Sequence, residues 1–271
     1  MYITTDDLRQ SYVVAKNEVR KFVRGKKFTF YVAFIAFVFA LITFLPYLLG
    51  GDLGDTAGEV VSKYVGFISL LALFAATLFA SVTIVSEFEE RTALILFTRP
   101  IKKTSIFVGK VIGCIVLESV MIVILYAFIA LAMYIVGGGV SAKILTSLGL
   151  ALLFVFAASS VAVLISSVMK KGSTSAIFTF LFLLLILPII SAALSGAGMD
   201  TWFVLSNASD SIAACIPEYV DMVNEMLTHM GGGASMDLLS TEDLVKAVAT
   251  MVGWSVASLV IGWIAFIRRE F

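Results

Sequence analysis

The sequence predicts an all-α polytopic membrane protein of six transmembrane helices, with an amphipathic helix before the first and a helical element between the fifth and sixth. Three observations predict it. The chain of 271 residues is 60% hydrophobic and only 14% charged, where a soluble domain carries about 25% charged residues. Its mean hydropathy is +1.04. Its apolar residues gather into six runs, near 28–49, 64–86, 111–136, 144–168, 175–195 and 247–267. Each is close to the roughly 20 residues a helix needs to cross the hydrocarbon layer. Backbone groups in lipid must be satisfied within their own segment, so each run is read as a helix.

The chain divides into an interfacial helix over 1–27 and a transmembrane domain over 28–271. In the first segment, Thr4 and Asp7 fit a capping box. Leu8, Tyr12, Ala15, Val19 and Phe22 recur at helical spacing on one face, with Lys16, Arg20, Arg24 and Lys27 as a basic stripe on another. This pattern predicts a helix lying in the membrane interface, anchored by those four bases to membrane lipid. No short apolar centre with a small-residue cleavage site marks a signal peptide.

The charges sort by side. With an even number of spans, the bases of the N-terminal segment fall on the same side as Arg91, Arg99, Lys102, Lys103 and Lys110, and as Lys170, Lys171, Arg268 and Arg269. The opposite side holds Asp52, Asp55, Glu59, Asp200, Asp210, Glu218, Asp221, Glu225, Asp237, Glu242 and Asp243, against Lys63, Lys143 and Lys246. Basic loops stay inside, so both termini are expected in the cytoplasm of a multi-pass plasma-membrane protein.

Of the outer connections, Gly137-Gly138-Gly139 reads as a tight turn. The segment 196–246 is too long to be structureless. Within it Pro217 suits a first helical turn. Tyr219, Val220, Val223, Met226, Leu227 and Met230 then share a face opposite Glu218, Asp221, Asn224 and Glu225. Gly231-Gly232-Gly233 stops that helix, and Ser240 with Asp243 caps the next. Asn207-Ala208-Ser209 matches a glycosylation acceptor.

Several chemistries lack their residues. Gly109-Lys110 has Thr104 where a phosphate loop needs its first glycine, and Val111 after the lysine. His229 is the only histidine, and Cys114 and Cys215 are the only cysteines. No metal site, triad or disulfide framework is expected from them, and the net charge of zero points to no nucleic acid. Small residues lie at packing intervals at Gly109 and Gly113, at Gly253 and Ala257, and at Ser258 and Gly262. Glu118 is the one acid inside a span. It is weighed between a polar lining of a translocation cavity and a carboxylate hydrogen-bonded between helices.

The stretch SEFEERTALILFTRPIKKTSIFVGK, residues 86–110, concentrates eight charges between spans two and three. Glu87, Glu89 and Glu90 complement the start of a short helix. Leu94, Ile95 and Phe97 follow, and Pro100 breaks the run before Lys102 and Lys103. An apolar patch flanked by both signs of charge suits docking on another protein; a hairpin anchored to anionic lipid is the other reading.

The order Glu87, Glu89-Glu90, Thr92, an apolar stretch, Pro100, a basic pair and Gly109-Lys110 resembles the cytoplasmic loop of ABC-2-type transporter permeases, with Arg91 where that family commonly has glycine. The resemblance implies a membrane subunit that works as a dimer, here expected as a homodimer, with two copies of a separate ATPase subunit. That ATPase would hold the ATP and Mg, so this chain is expected to bind no cofactor and to be no enzyme alone. In the coupling loop 87–110, Glu87, Glu89, Glu90 and Arg91 would pair with the ATPase surface and Leu94 and Phe97 would fill a groove on it. Thr92, Arg99, Pro100, Lys102 and Lys103 complete the interface. The expected activity is export of a hydrophobic or amphipathic substrate by alternating access. The alternative is a non-transporting assembly or signalling module acting through the outer helical segment.

Overall fold

The structure is a computed structural model and describes residues 5–48, 50–51, 53–89, 102–229 and 236–269. Among these the fold is all-α, with six helices long and apolar enough to cross a membrane. In chain order, α1 is Thr5–Val23, α2 Lys26–Leu48, α3 Ala57–Glu89, α4 Lys103–Gly137, α5 Lys143–Val168 and α6 Gly172–Gly196. Then follow α7 Leu205–Ala214, α8 Pro217–His229 and α9 Thr241–Arg268. Each predicted apolar run lies within, or within a residue of, one of the six long helices. Span three has the largest extension at one end: its helix starts at Lys103 rather than 111, so its first two turns lie before the apolar run.

Helices α3 and α5 form the centre. Ala72, Ala75, Ala76 and Ala80 of α3 and Ala151, Ala157, Ala158 and Ala162 of α5 are fully buried. Small side chains let helix backbones approach where no hydrophobic force separates helix from lipid. Helix α9 lies along α5, where Gly262 would bring a Cβ to 3.2 Å from the Leu164 Cα. Gly253, at the same kind of interval, faces open space. The periphery is large and apolar: Phe30, Phe37 and Phe44 of α2 and Ile177, Leu185 and Ile189 of α6 are exposed, as a lipid-facing surface requires.

Two spans depart from regular α geometry. Helix α3 widens to a π turn over Ala76–Ala80 and breaks at Ile84 before resuming over Val85–Glu89. Helix α6 has a π turn over Phe182–Ile186, just ahead of Pro188. Such irregularities release backbone groups that must find other partners. In α3 they do. The Ser81 hydroxyl donates to the Thr77 carbonyl, and Thr83 Oγ1 donates to the Phe79 carbonyl at 2.9 Å.

At the acidic end, Gly138 closes α4 at φ 65°, a left-handed conformation that glycine adopts without a Cβ clash. Helix α8 begins at Pro217 as expected and buries Val220. Asn224 holds the returning chain by accepting from the Met236 amide at 2.6 Å and donating to its carbonyl at 2.9 Å. Ser240 caps α9 by accepting from the Asp243 amide at 3.1 Å. Helix α7 has no counterpart in the expected pattern. Asn207 sits in it with its amide bonded to both Thr201 oxygens and to Ser191. The glycine run 231–233 and Met230 lie outside the described residues, as does Thr4.

Candidate functional site: the basic end of the bundle

The site grows from helix α1, which does not merely rest beside the bundle. Its buried face is Asp7, Ser11, Ala15, Glu18 and Phe22, a stripe at helical spacing. Of the face read as apolar, Leu8 and Tyr12 are 63% and 67% exposed, while Ala15 and Phe22 are buried. The apolar face of α1 thus divides: Leu8 and Tyr12 face outward, while Ala15 and Phe22 are buried with Ser11 and Glu18. Two glycines of α4 make that contact close. A Cβ on Gly109 would stand 2.6 Å from the Ser11 carbonyl oxygen, and one on Gly113 would stand 2.9 Å from the Ala15 carbonyl oxygen. These glycines therefore seat the N-terminal helix.

One turn of packing away lies a buried ionic node. Lys110 Nζ on α4 is 2.9 Å from Glu18 Oε2 on α1 and 2.8 Å from Glu87 Oε1 at the end of α3. The lysine side chain is 3% exposed and the two carboxylates 6% and 16%. Lys21 on α1 reaches the same end of α3, donating to Ser86 at 3.4 Å. Nearer the start of α1, Lys102 pairs with Asp7 at 2.7 Å. Thus α1 is tied to both ends of the connector between spans two and three.

The end of α3 is also held from its other sides. Glu89 accepts from the Gly172 amide at 2.7 Å, placing a carboxylate at the N-terminus of α6 where the helix dipole favours it. The Ile84 and Val85 amides, freed by the break in α3, both donate to Ser166 of α5 at 3.1 and 3.0 Å. Ser175 of α6 donates to the Ser81 carbonyl at 2.5 Å. Phe88 lies under the Arg269 guanidinium at 3.9 Å and edge-on to Phe266, whose ring also meets Phe107. The last two turns of α3 therefore form a bent segment whose polar groups are matched by α5 and α6. Replacing Ser166 by Ala is expected to leave two buried amides unmatched, costing about 1–3 kcal/mol each. Hydrogen–deuterium exchange at 84–85 measures it, and protection equal to that of the parent chain would contradict it.

Of the residues read as a coupling interface, Glu87, Glu89, Lys102 and Lys103 are described, and the first three have the partners given above. Glu90, Arg91, Thr92, Leu94, Phe97, Arg99 and Pro100 lie outside the described residues. Lys16, Arg20, Arg24 and Lys27 are exposed. Glu118 is fully buried in α4 and accepts a hydrogen bond from Ser159 of α5, a junction between helices. Glu18 was not singled out by sequence reasoning. Its signal was its spacing from Ser11, Ala15 and Phe22, with the matching lysine next to a glycine on another helix.

Six membrane-length helices, a helix strapped across the start of the third, and a charged connector clamped at both ends define a polytopic membrane subunit of the transporter type. The chain belongs to the ABC-2 family of transporter proteins, whose family model matches residues 12–271. It is accordingly a multi-pass membrane permease of an ABC transporter, a system in which an ATPase subunit is associated. No curated protein shows significant similarity to the chain.

Proposed function

We propose that the chain is the membrane half of an ATP-driven exporter and that the connector 87–110, together with α1, receives force from the ATPase. The node in which Lys110 joins Glu18 and Glu87 carries this reading, because it makes α1, the end of α3 and the start of α4 one mechanical unit. In this reading the basic end and both termini are cytoplasmic, the ATP and Mg belong to two copies of the ATPase, and a second copy of this chain completes the translocation path. The apolar connector segment containing Leu94 and Phe97 docks on the ATPase. Glu90 and Arg91 flank it, while Glu87 and Glu89 hold the connector to the bundle. The π turn and break of α3 supply the hinge for alternating access, since the bonds to Ser166 and Ser175 can exchange as the lever tilts. A wall of aliphatic and aromatic side chains suits a hydrophobic or amphipathic cargo.

Charge reversal at Glu90 and Arg91 tests the docking. Glu90→Lys with Arg91→Glu is expected to reduce co-purification with the cognate ATPase at least tenfold while leaving the chain folded. Unchanged assembly and unchanged ATP-dependent transport would refute it. ATP-dependent movement of cargo in vesicles containing both subunits separates an exporter from a non-transporting module.

A further inference from the structure

A cavity of about 670 Å³ opens at the basic end between the α1–α2 corner, α3 and α6. Its mouth carries Lys21, Lys26 and Lys27 against the single carboxylate of Glu89. That carboxylate accepts from the Gly172 amide, and among the described residues neither Lys26 nor Lys27 forms an ion pair within 4.0 Å. Deeper in, the walls are Leu78 and Val82 of α3 and Ala176 and Ile177 of α6. Further up, the Phe34, Phe74 and Phe180 rings meet at 4.8 and 5.3 Å, so α2, α3 and α6 close over the slot. Thr77 also lines it, 7% exposed, with a hydroxyl that has no hydrogen-bond partner among the described residues.

We propose that this cavity is a binding site for one anionic phospholipid. The order of groups is that of such a lipid entering from the bilayer. Ammonium groups at headgroup level meet the phosphate, and the apolar slot of Leu78, Val82, Ala176 and Ile177 takes the first part of an acyl chain. The lysine mouth excludes a cationic amphiphile, and the slot below it distinguishes the ligand from a free phosphate ester. The lipid would wedge the α1–α2 corner against α6, beside the bond from Gly172 to Glu89. The site is independent of the transport reading, since it needs only the cavity and a bilayer.

The purified chain, supplied with mixed micelles of phosphatidylglycerol and phosphatidylcholine, is expected to retain one phosphatidylglycerol per chain in native mass spectrometry. Lys26→Gln with Lys27→Gln is expected to lower that occupancy at least tenfold. Arg9→Gln with Arg268→Gln removes the same charge from the same end outside the cavity, and is expected to leave occupancy unchanged. Ala176→Trp, which fills the slot and keeps every lysine, is expected to lose the lipid while retaining the parent helix content. Equal retention of phosphatidylcholine, equal loss in the Arg9/Arg268 variant, full occupancy in Ala176→Trp, or displacement of the lipid by glycerol 3-phosphate would each overturn the proposal.

Discussion

Replacing Lys110 by Met is expected to destabilise the chain by about 3–5 kcal/mol, because it leaves the buried Glu18 and half-buried Glu87 carboxylates facing each other with only Lys21, 4.0 Å from Glu87, as a nearby cation among the described residues. Lys110 Nζ lies within 3 Å of both Glu18 and Glu87, and its side chain is almost wholly buried. Taking such charges out of water is costly, so the node is no simple source of stability. Its effect is to fix which helix faces meet. The asymmetry is testable. Lys110→Met combined with Glu18→Gln and Glu87→Gln removes the stranded charges and is expected to recover most of the lost stability. Thermal unfolding of the purified chain in detergent measures both. A single variant as stable as the parent, or a triple variant no better than the single, would show that the three side chains do not form one unit.

Replacing Gly109 by Leu is expected to lift α1 from α4. Even the Cβ would come within 2.6 Å of the Ser11 carbonyl oxygen and 2.7 Å of the Val14 Cβ, distances that backbone atoms cannot accept without moving. Overpacking of this kind costs about 1–3 kcal/mol where the neighbours can adjust. Here the neighbour is a helix backbone, so the expected response is displacement of α1 as a whole. Protease cleavage within α1 should accelerate, since Lys16 and Arg20 are already exposed and only the helical state protects them. Gly253→Leu is the matched control, because a Cβ there meets nothing within 4 Å. Equal cleavage of the Gly109 variant and the parent would show that α1 is not seated by this glycine.

The positions of the six spans were legible in the sequence because length and hydropathy suffice to mark them. The Pro217 start of α8, the Ser240 cap of α9 and the Gly138 turn were legible for local reasons of capping and backbone freedom. The burial of α1 was not. An apolar face made of Leu8 and Tyr12 is the inward face in a water-soluble protein, but beside a bilayer it can face outward. Ser11, Ala15 and Glu18 then make the helix contact. Glu18 was hidden for a related reason: an acid beside Lys16, Arg20 and Lys21 reads as solvated until Lys110 is brought to it from 92 residues away. The π turns of α3 and α6 have no marker in runs such as ATLFA and FLLLI, and the break of α3 at Ile84 was hidden because its partner Ser166 comes from another helix. The same holds for Glu89, whose acceptor role depends on the start of α6.

The account rests on α1, the end of α3 and the start of α4 moving together. Spin labels at Tyr12 on α1 and Ile112 on α4, both exposed positions, report that distance by double electron–electron resonance in the transporter assembled with its ATPase. The account predicts one unchanged distance distribution without nucleotide, with ATP and in the vanadate-trapped state. A nucleotide-dependent shift on the order of one helical turn, about 5 Å, would mean that α1 slides over α4, and would contradict it.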